Sequence, residues 1–555
     1  MHQHVRLLVA ALVAIAGSGC TPKPTGASVA CSPPECPADS TLLLVAEVDP
    51  PSDSQLVRQE FSSVSIDQQS GLFALTLDPQ VTLSGTVQVG SGTAAKNVAA
   101  TVVATRPSRI VGRPDVVYQA AVNPVDGSYK LVVSQSLTDE SYALRVSTTD
   151  TSLVPPKTMS VHADADKEVD VTFASPLTLP EVHGTILDSL QQPVAGMQVQ
   201  ATTVPTATTA AVVLSTTTVT DGNGAFSIRL TQTLPDKVQL TATPTTAAAD
   251  ALPSLSRTLD TSKLGPTSAL TASLTMPPLP SAVGVSYNVS GIGTSGAAMP
   301  VTAATCVFTA DVSDPHAVDG TTAIHHASAM TDPITGAVSV ALIPTETGSR
   351  TYVVTVTPDA TQPFATKTTT VNVGAGATGY GPDINLSLRA QLSGGVLDAD
   401  GKPLHNLMIV PAAATVAATL TPSAFSVTGT PQQATAGLDG RFSLRLDQGL
   451  WDVGLVPPAD AMLPRLWLPE LDLDEDVDVG TITMPRGVMV HGVVHDPSGA
   501  PLAHANVRIY TVSSGNSNCA PVDQQCLAPP RLRAEAASGS DGIVSLILPS
   551  QPQQR

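Results

Sequence analysis

Polar and apolar residues alternate with a period of two in short stretches of this chain. The clearest stretch reads Asp439-Gly440-Arg441-Phe442-Ser443-Leu444-Arg445-Leu446. Phe442, Leu444 and Leu446 fall on one face of a strand, and Arg441, Ser443 and Arg445 fall on the other. One buried and one wet face predict an antiparallel strand packed on one side. The phrase returns as Asn223-Gly224-Ala225-Phe226-Ser227-Ile228 and as Asp126-Gly127-Ser128-Tyr129-Lys130-Leu131, with weaker copies at 335–342 and 541–548. Asp-Gly and Asn-Gly suit a tight hairpin turn, because glycine accepts positive φ without steric cost. Apolar residues at helical three- and four-residue spacing are missing from these stretches.

The turn glycines Gly127, Gly224, Gly336, Gly440 and Gly542 recur about every 100 residues, roughly one β-sandwich each. That interval is too long for a solenoid repeat and predicts a string of domains. A second phrase opens each unit. It is Val182-His183-Gly184-Thr185-Ile186-Leu187-Asp188 in one, Ser393-Gly394-Gly395-Val396-Leu397-Asp398 followed by Gly401-Lys402-Pro403-Leu404 in another, and Val490-His491-Gly492-Val493-Val494-His495-Asp496 in the last. A strand runs out, turns at Asp and Gly-x-Pro, and returns. These residues resemble the carboxypeptidase regulatory-like family, a transthyretin-like β-sandwich related to the B-type repeats of bacterial surface adhesins. The second, fourth and fifth units match well and the first in part. The third, from about Gly284, lacks the Gly-x-Pro-Leu turn and has Val338 in place of the aromatic. The resemblance implies tandem transthyretin-like (Ig-like) antiparallel sandwiches and a non-catalytic role.

The expected units are 79–176, 177–276, 277–385, 386–484 and an incomplete 485–555. Val169-Asp170-Val171 and Val477-Asp478-Val479 stand equally far ahead of the next opening strand. Each reads as a closing strand that hands over directly, giving a semi-rigid rod. Residues 41–78 hold three strand-like runs and read as a short leading unit packed on its neighbour. The last unit stops soon after Leu548 without the further strand its siblings carry. Its sheet is open, and either the sequence is shortened or another segment fills the gap, as a strand donated by a partner would.

The N-terminus adds a destination. An apolar run from Leu7 to Ala16 follows His2, His4 and Arg6 and is too short to span a bilayer. With Gly17-Ser18-Gly19-Cys20 it looks like a bacterial lipoprotein signal, residues 1–19, with Gly17 where a Leu-like residue is usual. Ordinary secretion with cleavage near Ala16 is the alternative. Cys20 would carry lipid, and Thr21 after it favours the outer membrane. Several acyl chains give lasting anchorage. Residues 20–40 contain Pro22, Pro24, Pro33, Pro34 and Pro37 and read as a tether. In an exported protein Cys31 with Cys36, and Cys519 with Cys526, are spaced for small disulfide loops. Cys306 is left over as a buried small residue. A four-thiol metal site is not expected, because the pairs lie at opposite ends with no His motif.

Composition narrows the partners. The net charge is −19 with only 13% charged residues, which disfavours nucleic acid without implying disorder. Aromatics are 3%, and Trp451 and Trp467 are the two indoles that a polysaccharide platform could use. The acidic run 471–479 alternates with apolar residues and reads as a strand with one solvated face rather than a calcium loop. Gly291-Ile292-Gly293-Thr294-Ser295-Gly296 spells a dinucleotide fingerprint, but no helix follows it. His183 and His491 should point outward from strands, and His325-His326 should sit in a loop. No nucleophile triad, zinc helix or framed carboxylate pair is legible, and no cofactor is expected. The reading is a cell-envelope lipoprotein that serves as spacer, adhesive or scaffold, with membrane contact through its lipid and protein or envelope partners. A binding module for envelope polysaccharide or a small ligand is the alternative, and an enzyme with an unrecognised site is a third.

Overall fold

The computed structural model describes residues 28–30, 41–67, 71–92, 95–110, 113–206, 210–245, 252–293, 296–317, 319–345, 348–359, 361–374, 379–413, 433–513 and 530–549. The fold is all-β, a tandem series of two-layer sandwiches, with short 3-10 turns at Pro176–Thr178 and Ala459–Ala461. In the second unit the opening strand Glu181–Leu187 is the middle of one layer. It pairs antiparallel with Ala225–Arg229 on one side and parallel with Ala269–Thr271 and Leu274–Thr275 on the other. The second layer runs Thr218–Val219, Met197–Thr203, Lys237–Pro244, Ser254–Asp260, all antiparallel. The same plan recurs around the opening strands Gln80–Val89, Val283–Ile292, Ala390–Leu397 and Gly487–His495. The closing strands, such as Val171–Phe173 and Val477–Thr483, pair parallel to their opening strands. That direction lets a closing strand run straight on into the next unit.

The turn glycines do adopt positive φ, from 69° to 74°. Their turns are not hairpins, however. Each joins a strand of one layer to a strand of the other, so the phrase marks an arch across the core. The arch rests on the opening strand, since Ile186 N donates to Gly224 O at 2.8 Å and Val396 N to Gly440 O at 2.8 Å. A Cβ on Gly224 would stand 2.4 Å from Ile186 O. Gly224→Ala should therefore combine left-handed strain with a backbone clash and cost about 2–4 kcal/mol. The loss should appear as a lower denaturant midpoint for the transition that contains units 2 and 3. The Asp turns also recur: Asp188, Asp398 and Asp496 each accept two backbone N–H bonds.

An aromatic ring packed against a glycine fills the same place in several cores, supplied from different strands. In unit 2 a Cβ on Gly184 would meet the Phe226 ring at 3.0 Å, and in unit 4 Gly394 faces Phe442 in the same way. In unit 3 the ring has moved across the ladder: Tyr287 of the opening strand lies opposite Val338, and the close approach is made by Gly381. In unit 5 the arch strand offers Val544, and the ring over Gly492 is Phe73, from the far end of the chain.

Phe73 reveals how the last sandwich is made. Leu72–Thr76 pairs parallel with Gly487–His495, where other units have their closing strand. Thr41–Asp49 pairs antiparallel with Asn506–Ser513 over eight residues, and Gln59–Phe61 pairs with Thr41–Asp49. The expected leading unit 41–78 and the open unit 485–555 are thus two parts of one sandwich with one core, in which Leu44, Val48, Phe73 and Leu75 meet Val490, Val507, Ile509 and Leu546. The resemblance of 71–77 to the arch phrase is local only. Gly71 N bonds Asp67 O at 2.8 Å as in the arches, but the strand that follows closes a sheet.

A straight rod would hold these two segments at opposite ends. Their union places unit 5 beside both unit 1 and unit 4, so the array returns on itself. Units 2 and 3 share an eight-stranded sheet, through pairing of Ser254–Asp260 with Thr322–Met330, and a single core. Two further expectations change. The acidic run is two strands, Leu466–Asp472 and Val477–Thr483 in different sheets, with a bend around the buried Leu473. His325 and His326 lie in strand Thr322–Met330 rather than a loop.

Candidate functional site at the joints of unit 5

Strand Thr41–Asp49 reads Leu-Leu-Leu-Val-Ala-Glu-Val after its Thr, with no alternation. Residues 44–48 are all buried, because one face meets the unit 5 core and the other meets unit 1. On that second face Val45, Tyr510 and Val512 pack against Ile110 of unit 1. Glu47 is 0% exposed beside them. Arg58, Arg113 and Arg508 surround its carboxylate: Arg113 Nη2 and Arg508 Nη1 each donate at 2.7 Å, and Arg58 also forms an ion pair with it. Burial pushes the Glu47 carboxyl upward. Hydrogen bonds from Arg58 and Arg508, and the charge of Arg113, outweigh it and hold the group below its ordinary value. The Arg113 guanidinium lies 5.1 Å from the centre of the Tyr510 ring, within cation–π range.

A second buried carboxylate ties the N-terminal segment to unit 1. Glu60 accepts from Arg106 Nη1 at 3.2 Å, from Ser108 Oγ at 2.6 Å and from the Arg109 backbone N at 2.9 Å. Arg109 is clamped in turn, with Glu140 held by its Nε and Nη2 and Asp78 by its Nη1. On the other flank, unit 4 meets unit 5 through Asp452, which accepts from Arg531 Nε at 3.0 Å, and through Trp467, whose indole N–H donates to Leu532 O at 2.9 Å. Units 3 and 4 are joined through Asp447, which accepts from Thr366 N at 3.0 Å, and through Arg389, whose Nη1 donates to Gln362 O at 2.9 Å while its Nε holds Asp447 at 3.1 Å. Between units 1 and 2 the joint includes Thr217 N donating to Thr151 O at 3.0 Å. Charge-assisted bonds of this kind fix one docking geometry and do little chemistry on a substrate.

The sequence candidates fall elsewhere. Trp451 is 2% exposed and belongs to the unit 4 core, with its indole donating to Asp447 O. Trp467 serves the joint, so neither indole is a free sugar platform. His325 is fully buried, with Nδ1 3.0 Å from the Tyr352 hydroxyl. His183 and His491 do point outward, bonding Thr271 and Ser545 across the ladder. Cys306 is a buried free thiol, pushed up to about 11 by burial. Cys20, Cys31, Cys36, Cys519 and Cys526 lie outside the described residues, as do Thr294 and Ser295 of the Gly-rich loop. Among the described residues no group of three or more His, Cys, Asp or Glu is placed to hold a metal, and no helix is long and apolar enough to cross a membrane. Sequence inspection passed over Glu47, Glu60 and Asp452. Glu47 and Asp452 did carry a signal, each being an acid inside a strand with an apolar neighbour on both sides, whereas Glu60, between Gln59 and Phe61, carried none.

Comparison with known proteins leaves the family open. No protein-family model matches the chain, and no curated protein matches it. Among solved structures it is similar to the Bacillus anthracis TIE protein, at 10% identity over 72% of this chain and 73% of that one, with a TM-score of 0.18. A Streptococcal ancillary pilin matches at 12% identity over 56% of this chain and 99% of its own, TM-score 0.21. Two B repeat units of the collagen binding protein of Staphylococcus aureus match at 10% identity over 73% and 99%, TM-score 0.13. At these scores the likenesses carry no argument about function, and the fold rests on the strand pairing itself.

Proposed function

We propose that this protein is a non-catalytic scaffold of the cell envelope, held at the outer membrane by lipid on Cys20 and presenting sandwich loops to envelope partners. The observation that supports it most is the use made of the buried charged groups. Glu47, Glu60, Asp452, Arg106 and Arg531 lock one sandwich against the next. Such joints are what a body that must keep its shape requires, and a reacting group would need room for a substrate instead. The Ser18-Gly19-Cys20 sequence supports the anchor.

Mass analysis of the mature N-terminus tests the anchor: an acylated Cys20 is expected, and an unmodified end near Ala16 would refute it. Capture of envelope components by the chain lacking Cys20 tests the scaffold. A saturable envelope partner is expected, whereas turnover in a broad hydrolase screen would overturn the non-catalytic reading.

A further inference from the structure

The two parts of unit 5 belong to different bodies. The N-terminal segment is fastened to unit 1 by Glu60 with Arg106 and Arg109, by Glu47 with Arg113, and by the Tyr118 hydroxyl donating to Arg58 O. It leads into unit 1 through Leu77, Asp78 and Pro79 alone, and Asp78 is held by Gln59 and Arg109. The C-terminal part is fastened to unit 4 by Asp452 with Arg531 and by Trp467 with Leu532. Between the two parts lie the ladders of Thr41–Asp49 on Asn506–Ser513 and of Leu72–Thr76 on Gly487–His495, the Phe73 ring on Gly492, and Arg508 on Glu47 and Asp49.

We infer that unit 5 is a coupling between copies as well as a clasp: the N-terminal strands of one chain close unit 5 of a second chain, joining copies end to end. Separating the two parts leaves each end of the chain with one complementary half of a sandwich. Once the array opens at one of its joints, every contact that closes the unit within one chain can form between two, because each half carries its own docking body with it. The contact is heterologous, so it builds a closed ring of copies or an open filament according to the rotation per step. Closure within one chain is favoured when copies are dilute, since its effective concentration is fixed by the array, and joining is favoured when they are crowded. The inference does not depend on the scaffold role, and its failure would leave that reading untouched.

Two full-length variants decide it. Phe73→Asp spoils the N-terminal half and leaves residues 487–549 intact; Val507→Asp spoils the C-terminal half and leaves residues 41–77 intact. Each alone cannot build unit 5 and should remain monomeric. Refolded together, they should give a one-to-one heterodimer by light scattering, with one restored unit 5 protected from protease. Wild-type chain refolded over a concentration series should show dimers and longer species growing with concentration. A mixture of the two variants that stays monomeric, while the β-sheet signal of units 1–4 is retained in both, would overturn the inference.

Discussion

Deleting residues 1–78 should abolish one complete unfolding transition, that of unit 5, while leaving units 2 to 4 folded. The segment supplies four strands of that sandwich, Ser28–Ala30, Thr41–Asp49, Gln59–Phe61 and Leu72–Thr76, and four of the large side chains in its core, Leu44, Phe73, Leu75 and Leu77. Without them Gly487–His495 and Asn506–Ser513 each lose a whole ladder, and their backbone donors and acceptors turn to water. A domain of this size has about 5–15 kcal/mol of stability, and loss of half its strands removes all of it. Calorimetry should show a missing component. Limited proteolysis should cut within 487–549 and spare most of 177–484. Unit 1 should also soften, because Ile110 and Arg106 lose the surfaces that cover them. If the truncated chain still protects residues 487–549 from protease, the two-ended construction of unit 5 is mistaken.

What could be read from the sequence was local in origin. The arch glycines and Asp turns are set by steric limits on a few consecutive residues, and they stand where the motif put them. Alternation gave the strands for the same reason. The ring-and-glycine pair was legible in units 2 and 4, where Phe226 and Phe442 sit in the phrase. It was hidden in unit 3, because exchanging Tyr287 and Val338 across a ladder keeps the volume and destroys the pattern. It was hidden in unit 5, because Phe73 arrives from a segment that no local window includes. A count of strands nearly revealed that union: the last unit lacked strands and the leading segment had three to spare. What the count could not give was the partner, since the pairing of distant segments is fixed by faces that meet only in three dimensions. The same holds for Glu47. In a one-sided sheet its run of apolar neighbours looks like a lapse in alternation, and it is the mark of a strand with both faces covered.

Glu47→Ala should be among the most damaging single substitutions outside the arches. Removing one partner of a buried ion pair costs about 3–5 kcal/mol. Here the side chains of Arg58, Arg113 and Arg508 keep 40%, 28% and 27% exposure. Water therefore takes up part of the loss, and about 2–3 kcal/mol is expected. The effect should fall on the unit 5 transition and on the unit 1 boundary together, because the carboxylate serves both. Acid should attack the same joint. The Glu47 carboxyl is held below its unfolded value of 4.5, and the Glu535 carboxyl, bonded to Asn506 and Arg508, is displaced in the same direction. A lowered folded value means that the interaction contributes fully above about pH 4.5 and is lost as the pH falls through the folded value. Unit 5 should therefore weaken below about pH 4.5 as this cluster is protonated, in addition to any loss at the carboxylates of units 2 and 3 that are also held below their ordinary value, such as Asp311 and Asp332. Glu47→Gln, which keeps the shape and removes the charge, should flatten that part of the pH profile while lowering stability at neutral pH. A Glu47→Gln chain with the wild-type acid slope would show that some other group holds the two ends together.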